Sequence, residues 1–261
     1  MKNLVTKNNK KMHQQVAKIN PISTKTTKEI KPNNRPDRNM PKKTIKQPHD
    51  RGKPHQQYKK IDTIQPIFKN QTVYLLGGGP SLLDFDWNKL KGKNVIAINK
   101  AFLSYPDADI LYWTDTRFWK WFKADIDKFK GIKVTNKAKI IQNDILILRD
   151  SGRIGLDTNP SSLKHGNNSG YAAINLAFHT GANRIMLLGY DMSMLNGKSH
   201  FHDGYAIRHN PKIYKDNMIP HFDALVEPLK EHGIEIWNAC PTSALEAFPK
   251  CTIDEAFRFN K

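Results

Sequence analysis

From about residue 70 onward, short apolar runs alternate with longer stretches in which apolar residues return at helical spacing. "TVYLLGG" is a β-rich run ending in glycine and predicts a buried strand. "SLLDFDWNKLKG" predicts a short helix with Ser81 as its N-cap. "NVIAINKAF" and "ADILYWTD" predict two more strands, and "TRFWKWFKADIDKFKG" a helix with aromatic residues on one side. "IKVTN" and "DILILRD" are further strand candidates. "NSGYAAINLAFHTGA" reads as a helix closed by Gly181, followed at once by the strand "RIMLLGYDM". "IPHFDALVEPLKEHG" predicts a helix stopped by Gly233, "IEIWNAC" a last strand, and "TSALEAF" a closing helix. Strands that alternate with helices predict an α/β domain with Rossmann-like winding and a mostly parallel sheet.

The first 68 residues do not share this texture. Of the net charge of +18, fourteen units fall within residues 1–70, together with seven prolines and few large apolar groups. Such a segment buries too little surface to offset the entropy of ordering. Residues 1–68 are therefore expected to form a disordered basic tail, and 69–261 the folded domain. The tail's charge suits nucleic acid or an anionic surface held by counterion release, or simple solvation. No run approaches the ~20 apolar residues of a membrane helix, and the N-terminus "MKNLVTKNNKKMHQQ" has no continuous apolar stretch of a secretory signal. Cys240 and Cys251 match no zinc or redox spacing, so a reducing cytoplasm is the expected location.

In doubly wound sheets, ligands sit beyond the carboxyl ends of the strands. The residues expected there are Gly77–Ser81, Asn99, Thr114–Asp115, Gly189–Asp191 and Asn238–Ser243, nearly all small or polar. "GGGPS" is neither a dinucleotide fingerprint nor a P-loop, since Leu82 replaces the glycine the first needs and no G-K-[ST] follows. Gly77, Gly78, Gly79, Pro80 and Ser81 still suit an anion approached by bare N–H groups, or a tight turn that needs positive φ. On the first reading, a side chain at Gly79 blocks the ligand and leaves the fold intact. Asn99 offers an amide for a base or ribose hydroxyl. Ser169, with Asn168 and Gly170, opens a helix and is expected to cap it, with ligand oxygens taking the remaining N–H groups. Asp191 precedes a long polar loop with His200, His202 and Asp203, where His-x-His plus an acid would hold a metal but no fourth ligand is evident. In the same stretch His202, Tyr205, Arg208 and Tyr214 are candidates for a lid. Among His165, His200, His202 and His221, the residues alone do not single out a general base.

"LLGGGPSL", "AINKAF", "NSGYAAINLAFHTGANRIMLLGYDM" and "EIWNACPTSALEAFP", in this order, resemble the bacterial sialyltransferases of glycosyltransferase family 42. They also resemble a wider superfamily that includes the motility accessory factors and the 6-hydroxymethylpterin diphosphokinases. The likeness runs over about 70–255. It implies a Rossmann-like fold, a nucleotide-sugar donor of the CMP-sugar type, a hydroxyl acceptor and no obligatory metal. It implies that Gly77–Ser81 face donor phosphate and ribose, and that Asn99, Ser169 and Gly170 contact the nucleotide. Pro241 and Ser243 would lie beside it, with His221 as catalytic base and Tyr205 and Tyr214 as candidates to hold the phosphate. "GGG" stands where the sialyltransferases have a "GNG"-like turn. The diphosphokinase branch would instead imply ATP and magnesium, with Asp191 or Asp115 as carboxylate ligands. A third reading is a non-catalytic nucleotide-binding module whose residues 1–68 dock nucleic acid.

Overall fold

The computed structural model describes residues 61–137, 139–140, 142–194, 197, 200–202 and 212–259. Expectations for residues 1–60, Asp203, Tyr205 and Arg208 lie outside them. The chain runs through β1 (Thr72–Leu76), β2 (Asn94–Ile98), α1 (Ala101–Ser104), β3 (Ile110–Trp113), α2 (Thr116–Lys128), β4 (Ile132–Thr135) and β5 (Ile145–Ile147). It continues with β6 (Arg149–Asp150), β7 (Ser162–Leu163), α3 (Ser169–His179), β8 (Arg184–Leu188), α4 (Asp223–Glu231), β9 (Glu235–Asn238) and α5 (Ile253–Ala256).

Seven strands form one parallel sheet in the order β5-β4-β3-β2-β1-β8-β9, and β6 pairs with β7 in a separate small ribbon. Both faces of the large sheet are covered, which is why its strands read as unbroken apolar runs. Val73 and Leu75 point into a core completed by Tyr171, Ile174 and Leu176 of α3 and Leu225 and Leu229 of α4. Tyr74 and Leu76 point the other way, toward Leu82, Leu90, Phe102, Phe118 and Ile126. The expected α/β architecture is the one observed.

The winding direction matters for function. From β1 the chain steps outward to β5, then returns to place β8 on the other side of β1. The connections leaving β1 and β8 therefore diverge, and a crevice opens at the carboxyl end of the sheet.

Three local expectations are corrected. The segment expected as one helix after Ser81 forms two 3-10 turns, Pro80–Leu82 and Trp87–Leu90, because Asp86 takes the Asn88 N–H and starts a new turn. "TSALEAF" is not helical; Ser243 turns its hydroxyl inward, and the closing helix is α5, opened by a Thr252–Glu255 capping box. Residues 61–68 belong to the fold: Ile64 and Phe68 are buried, and the N–H groups of Asp62, Ile64 and Phe68 donate to Ile147, Pro160 and Thr180 carbonyls. The folded part begins at or before Ile61, not at 69.

Candidate functional site

A cavity of about 370 Å³ lies in the crevice, lined by the ends of β1, β2, β3 and β8, the first turn of α3 and residues 213–218. It includes Gly77, Gly78, Gly79, Asn99, Asp115, Ser169 and Gly170 from the expected set, and Thr114 and Tyr214.

The glycine turn differs from expectation in its physical role. None of Gly77, Gly78 and Gly79 has positive φ. The Gly77 N–H donates to Leu188 O and the Gly79 N–H to Gly189 O, both at 2.8 Å. Ser81 gives its N–H to Asp191 Oδ1 at 2.8 Å and its hydroxyl to Oδ2 at 2.7 Å. Pro80 has no N–H, so most of the donors expected to face an anion are bound to the turn after β8 instead. Glycine is needed here for close approach: a Cβ at Gly79 would stand 2.6 Å from Gly189 O and run into the Asp191 carboxylate, and one at Gly77 would stand 2.7 Å from Gly189 O. The expectation that a side chain at Gly79 spares the fold is therefore overturned. Gly78 is different, because a Cβ there meets only the His200 and His202 rings, with His200 Cδ2 nearest at 2.9 Å.

Asp191 is likewise placed as a brace. It is 5 % exposed, both oxygens are occupied by Ser81, and it does not line the cavity. Burial raises its carboxyl above the ordinary value, against the two Ser81 bonds that lower it. Asn238 and Ser243 are also buried, and both donate to the Tyr190 carbonyl. They hold the β8 turn from behind, and Pro241 is exposed outside the cavity.

The α3 end of the cavity is built from the opposite pattern. Asn168, not Ser169, is the N-cap: extended at φ −151°, ψ 156°, it accepts the Tyr171 N–H at 2.8 Å. Both residue types cap well, and the extended backbone at 168 decides. Ser169 thus becomes the first helical residue, its hydroxyl 2.8 Å from Thr114 Oγ1 and 3.5 Å from Asn99 Oδ1. The N–H groups of Ser169 and Gly170 have no protein acceptor among the described residues. Asn99 holds φ +52°, so its side chain turns back over the β2 end toward Ser169. Gly170 leaves room for Tyr190, whose hydroxyl donates to Gly170 O at 3.1 Å.

Asp115 caps α2 by accepting the Arg117 N–H and binds the Arg117 guanidinium at 2.6 Å. That pairing holds its carboxyl below the usual range. His200 lines the cavity and stacks on His202, which packs edge-on to Phe201 and does not itself line the cavity. Among the described residues, no three His, Cys, Asp or Glu side chains gather as a metal would require.

His221 lies in the 3-10 turn Ile219–His221, and its Nε2 is 3.1 Å from Asn167 Nδ2. Burial, then the charges of Arg153 and His165, hold its imidazole below the usual range. Neither His221 nor His165 lines the cavity itself, and His165 Nε2 lies 3.8 Å from Asp150. Sequence reasoning passed over Arg117 and Asn167, which also line the cavity. Each lies beside a helix cap, a signal that could have found them; Gly189 and Tyr190, expected past β8, line it as well.

No family model and no curated protein sequence matches the chain. Two solved structures align with the chain, the first of them well enough to share its fold. The MAf glycosyltransferase from Magnetospirillum magneticum AMB-1 aligns with a TM-score of 0.53 at 13% identity, over 75% of this chain and 35% of that one. This chain thus spans about a third of that protein's length. The sialyltransferase CstII from Campylobacter jejuni, in complex with a substrate analogue, CMP-3FNeuAc, aligns with a TM-score of 0.41 at 15% identity, over 69% of this chain and 86% of that one. Among the described residues, no helix is long and apolar enough to cross a membrane.

Proposed function

We propose that the chain is a glycosyltransferase that moves a sugar from a nucleotide-activated donor to a hydroxyl acceptor, with a CMP-sugar of sialyl type as the favoured donor. One observation carries this reading. The first turn of α3 opens two unspent N–H groups, at Ser169 and Gly170, into a cavity that His221 borders through Asn167. The donor phosphate sits against those N–H groups, where the helix dipole favours negative charge. Asn99 and Thr114 face the nucleoside. Tyr214 closes over the donor, and Gly78 is the part of the glycine turn left to meet it.

In the transfer step, His221 takes the proton from the acceptor hydroxyl. The hydroxyl oxygen bonds to the anomeric carbon as the bond from that carbon to the phosphate oxygen breaks. The growing charge on the nucleotide phosphate is met by preorganised N–H donors. An imidazole held neutral at pH 7 suits that base role. The step is proposed to need no metal, because the oxygens of Asp191 are occupied by Ser81 and Asp115 is paired with Arg117. The basic segment that precedes Ile61 is proposed to bring the enzyme to a polyanionic acceptor or to nucleic acid, in a cytoplasmic setting.

Calorimetry with CMP, UDP, ADP and ATP tests the donor class. Tight binding of CMP or UDP supports glycosyl transfer. Magnesium-dependent preference for ATP would favour diphosphate transfer, and binding of none a non-catalytic module. His221→Ala should keep nucleotide affinity and abolish turnover; retained turnover removes His221 from the mechanism.

A further inference from the structure

Asn167 has the geometry to decide which nitrogen of His221 is basic. It stands between Gly166 and the α3 cap and holds φ +61°, a left-handed conformation that asparagine tolerates better than most residues. From there its carboxamide reaches the turn that carries His221. Asn167 Nδ2 donates to Asn217 O at 3.2 Å and lies 3.1 Å from His221 Nε2. A backbone carbonyl only accepts, so the contact with Asn217 puts the amide nitrogen, not the oxygen, on this side. The second N–H of the same nitrogen then faces His221, and Nε2 must offer its lone pair. A neutral imidazole carries one proton, which leaves it on Nδ1.

The cavity wall at this point is Asn167, with His221 behind it. We propose that Asn167 is a positioning residue: its carboxamide fixes His221 as the Nδ1–H tautomer and occupies, at Nε2, the place an acceptor hydroxyl takes. The inference rests on the reading of His221 as the base. An incoming hydroxyl replaces the amide N–H with its own O–H; that O–H bond breaks as the new N–H bond forms on Nε2, and the ring becomes imidazolium. Until then, protonation of Nε2 would set N–H against N–H. The charged groups acting on the ring are Arg153 and His165, both on the segment before α3, with Asp150 behind His165. Burial, then Arg153 and His165, disfavour an early proton, so the ring stays unprotonated until the hydroxyl arrives.

Long-range proton–nitrogen NMR on the full-length, nitrogen-15-labelled chain tests this without any donor or acceptor. The His221 ring is assigned by its loss in His221→Ala. At pH 8 the wild-type ring should show a protonated Nδ1 and an unprotonated Nε2. Asn167→Gly, which keeps the left-handed backbone without strain, should lose that pattern and shift toward Nε2–H. His165, whose Nδ1 accepts the backbone N–H of residue 167 at 3.1 Å, should keep its own pattern in the same variant. Asn167→Asp should give the Nε2–H tautomer and raise the His221 pKa by about 1–3 units, as a carboxylate beside a cation does. A wild-type Nε2–H ring, or an Asn167→Gly ring unchanged from wild type, overturns the proposal and leaves the base role standing. Turnover retained by His221→Ala removes the base role and leaves the tautomer assignment standing.

Discussion

Two backbone turns meet at the cavity, and they use their N–H groups in opposite ways. Gly77–Ser81 carries three consecutive glycines, yet the N–H groups of Gly77, Gly79 and Ser81 are bound to the end of β8 and the turn after it. Gly166–Gly170 carries two glycines with Asn167, Asn168 and Ser169 between them, and among the described residues nothing accepts the N–H groups of Ser169 and Gly170. Glycine density thus marks a close approach of two backbones, whereas a capped helix start marks the free donors. What separates the turns is a partner far away in sequence: Asp191, 110 residues from Ser81, closes the first.

Five variants break or sharpen this contrast, beginning with the largest expected effect and ending with the smallest. Gly79→Ala forces a methyl group against Gly189 O and Asp191, and should cost about 3 kcal/mol of stability in urea unfolding, the upper range for overpacking. Gly78→Ala meets only the side chains of His200 and His202 and should cost about 1 kcal/mol or less; equal losses would erase the difference between the two glycines. Asp191→Ala strips a part-buried N–H and hydroxyl of their acceptor and should cost about 2 kcal/mol, seen as a lower urea midpoint with unchanged slope.

Ser169→Pro tests the open turn. Asn168 is already extended, as a residue before proline must be, and proline is at home in the first helical position. The melting temperature should hardly move, while CMP affinity measured by calorimetry should fall about tenfold or more with the loss of an N–H to a charged phosphate. Unchanged affinity would return the phosphate to the glycine turn. The smallest effect concerns the far end of α3. His179 is buried, and desolvation lowers its pKa below the 6.5 of an exposed ring. Its unfolded form takes up a proton first, so its stability contribution is full above pH 6.5 and is lost as pH falls through the folded value. His179→Gln should flatten that acid dependence in urea titrations across pH 5–7.

The alternation of strands and helices was legible because each strand is buried on both faces and each long helix on one. Asn99, Asp115, Ser169 and Gly170 were legible as cavity residues because strand ends and helix starts are local features. Asp191, Asn238 and Ser243 were not, although they too stand at or past strand ends. Whether a residue past a strand faces the crevice or turns back under it depends on a neighbour elsewhere in the chain, and Ser81 and the Tyr190 carbonyl draw these three inward. Ser169 was mistaken for the cap because the choice between adjacent Asn and Ser rests on one residue's backbone angles.

The pairing of β1 with β8 also sets when the protein becomes competent. Every strand from β2 to β5 is made between these two neighbours, and Thr72 meets Arg184 only after they have been. A chain leaving the ribosome therefore carries its glycine turn unclosed while about 110 further residues are added, and the cavity lacks its β8 wall until β8 docks. Closing so long a loop makes folding slow. Ligand added during refolding should accelerate nothing before that docking, and afterwards it should hold β8 in place.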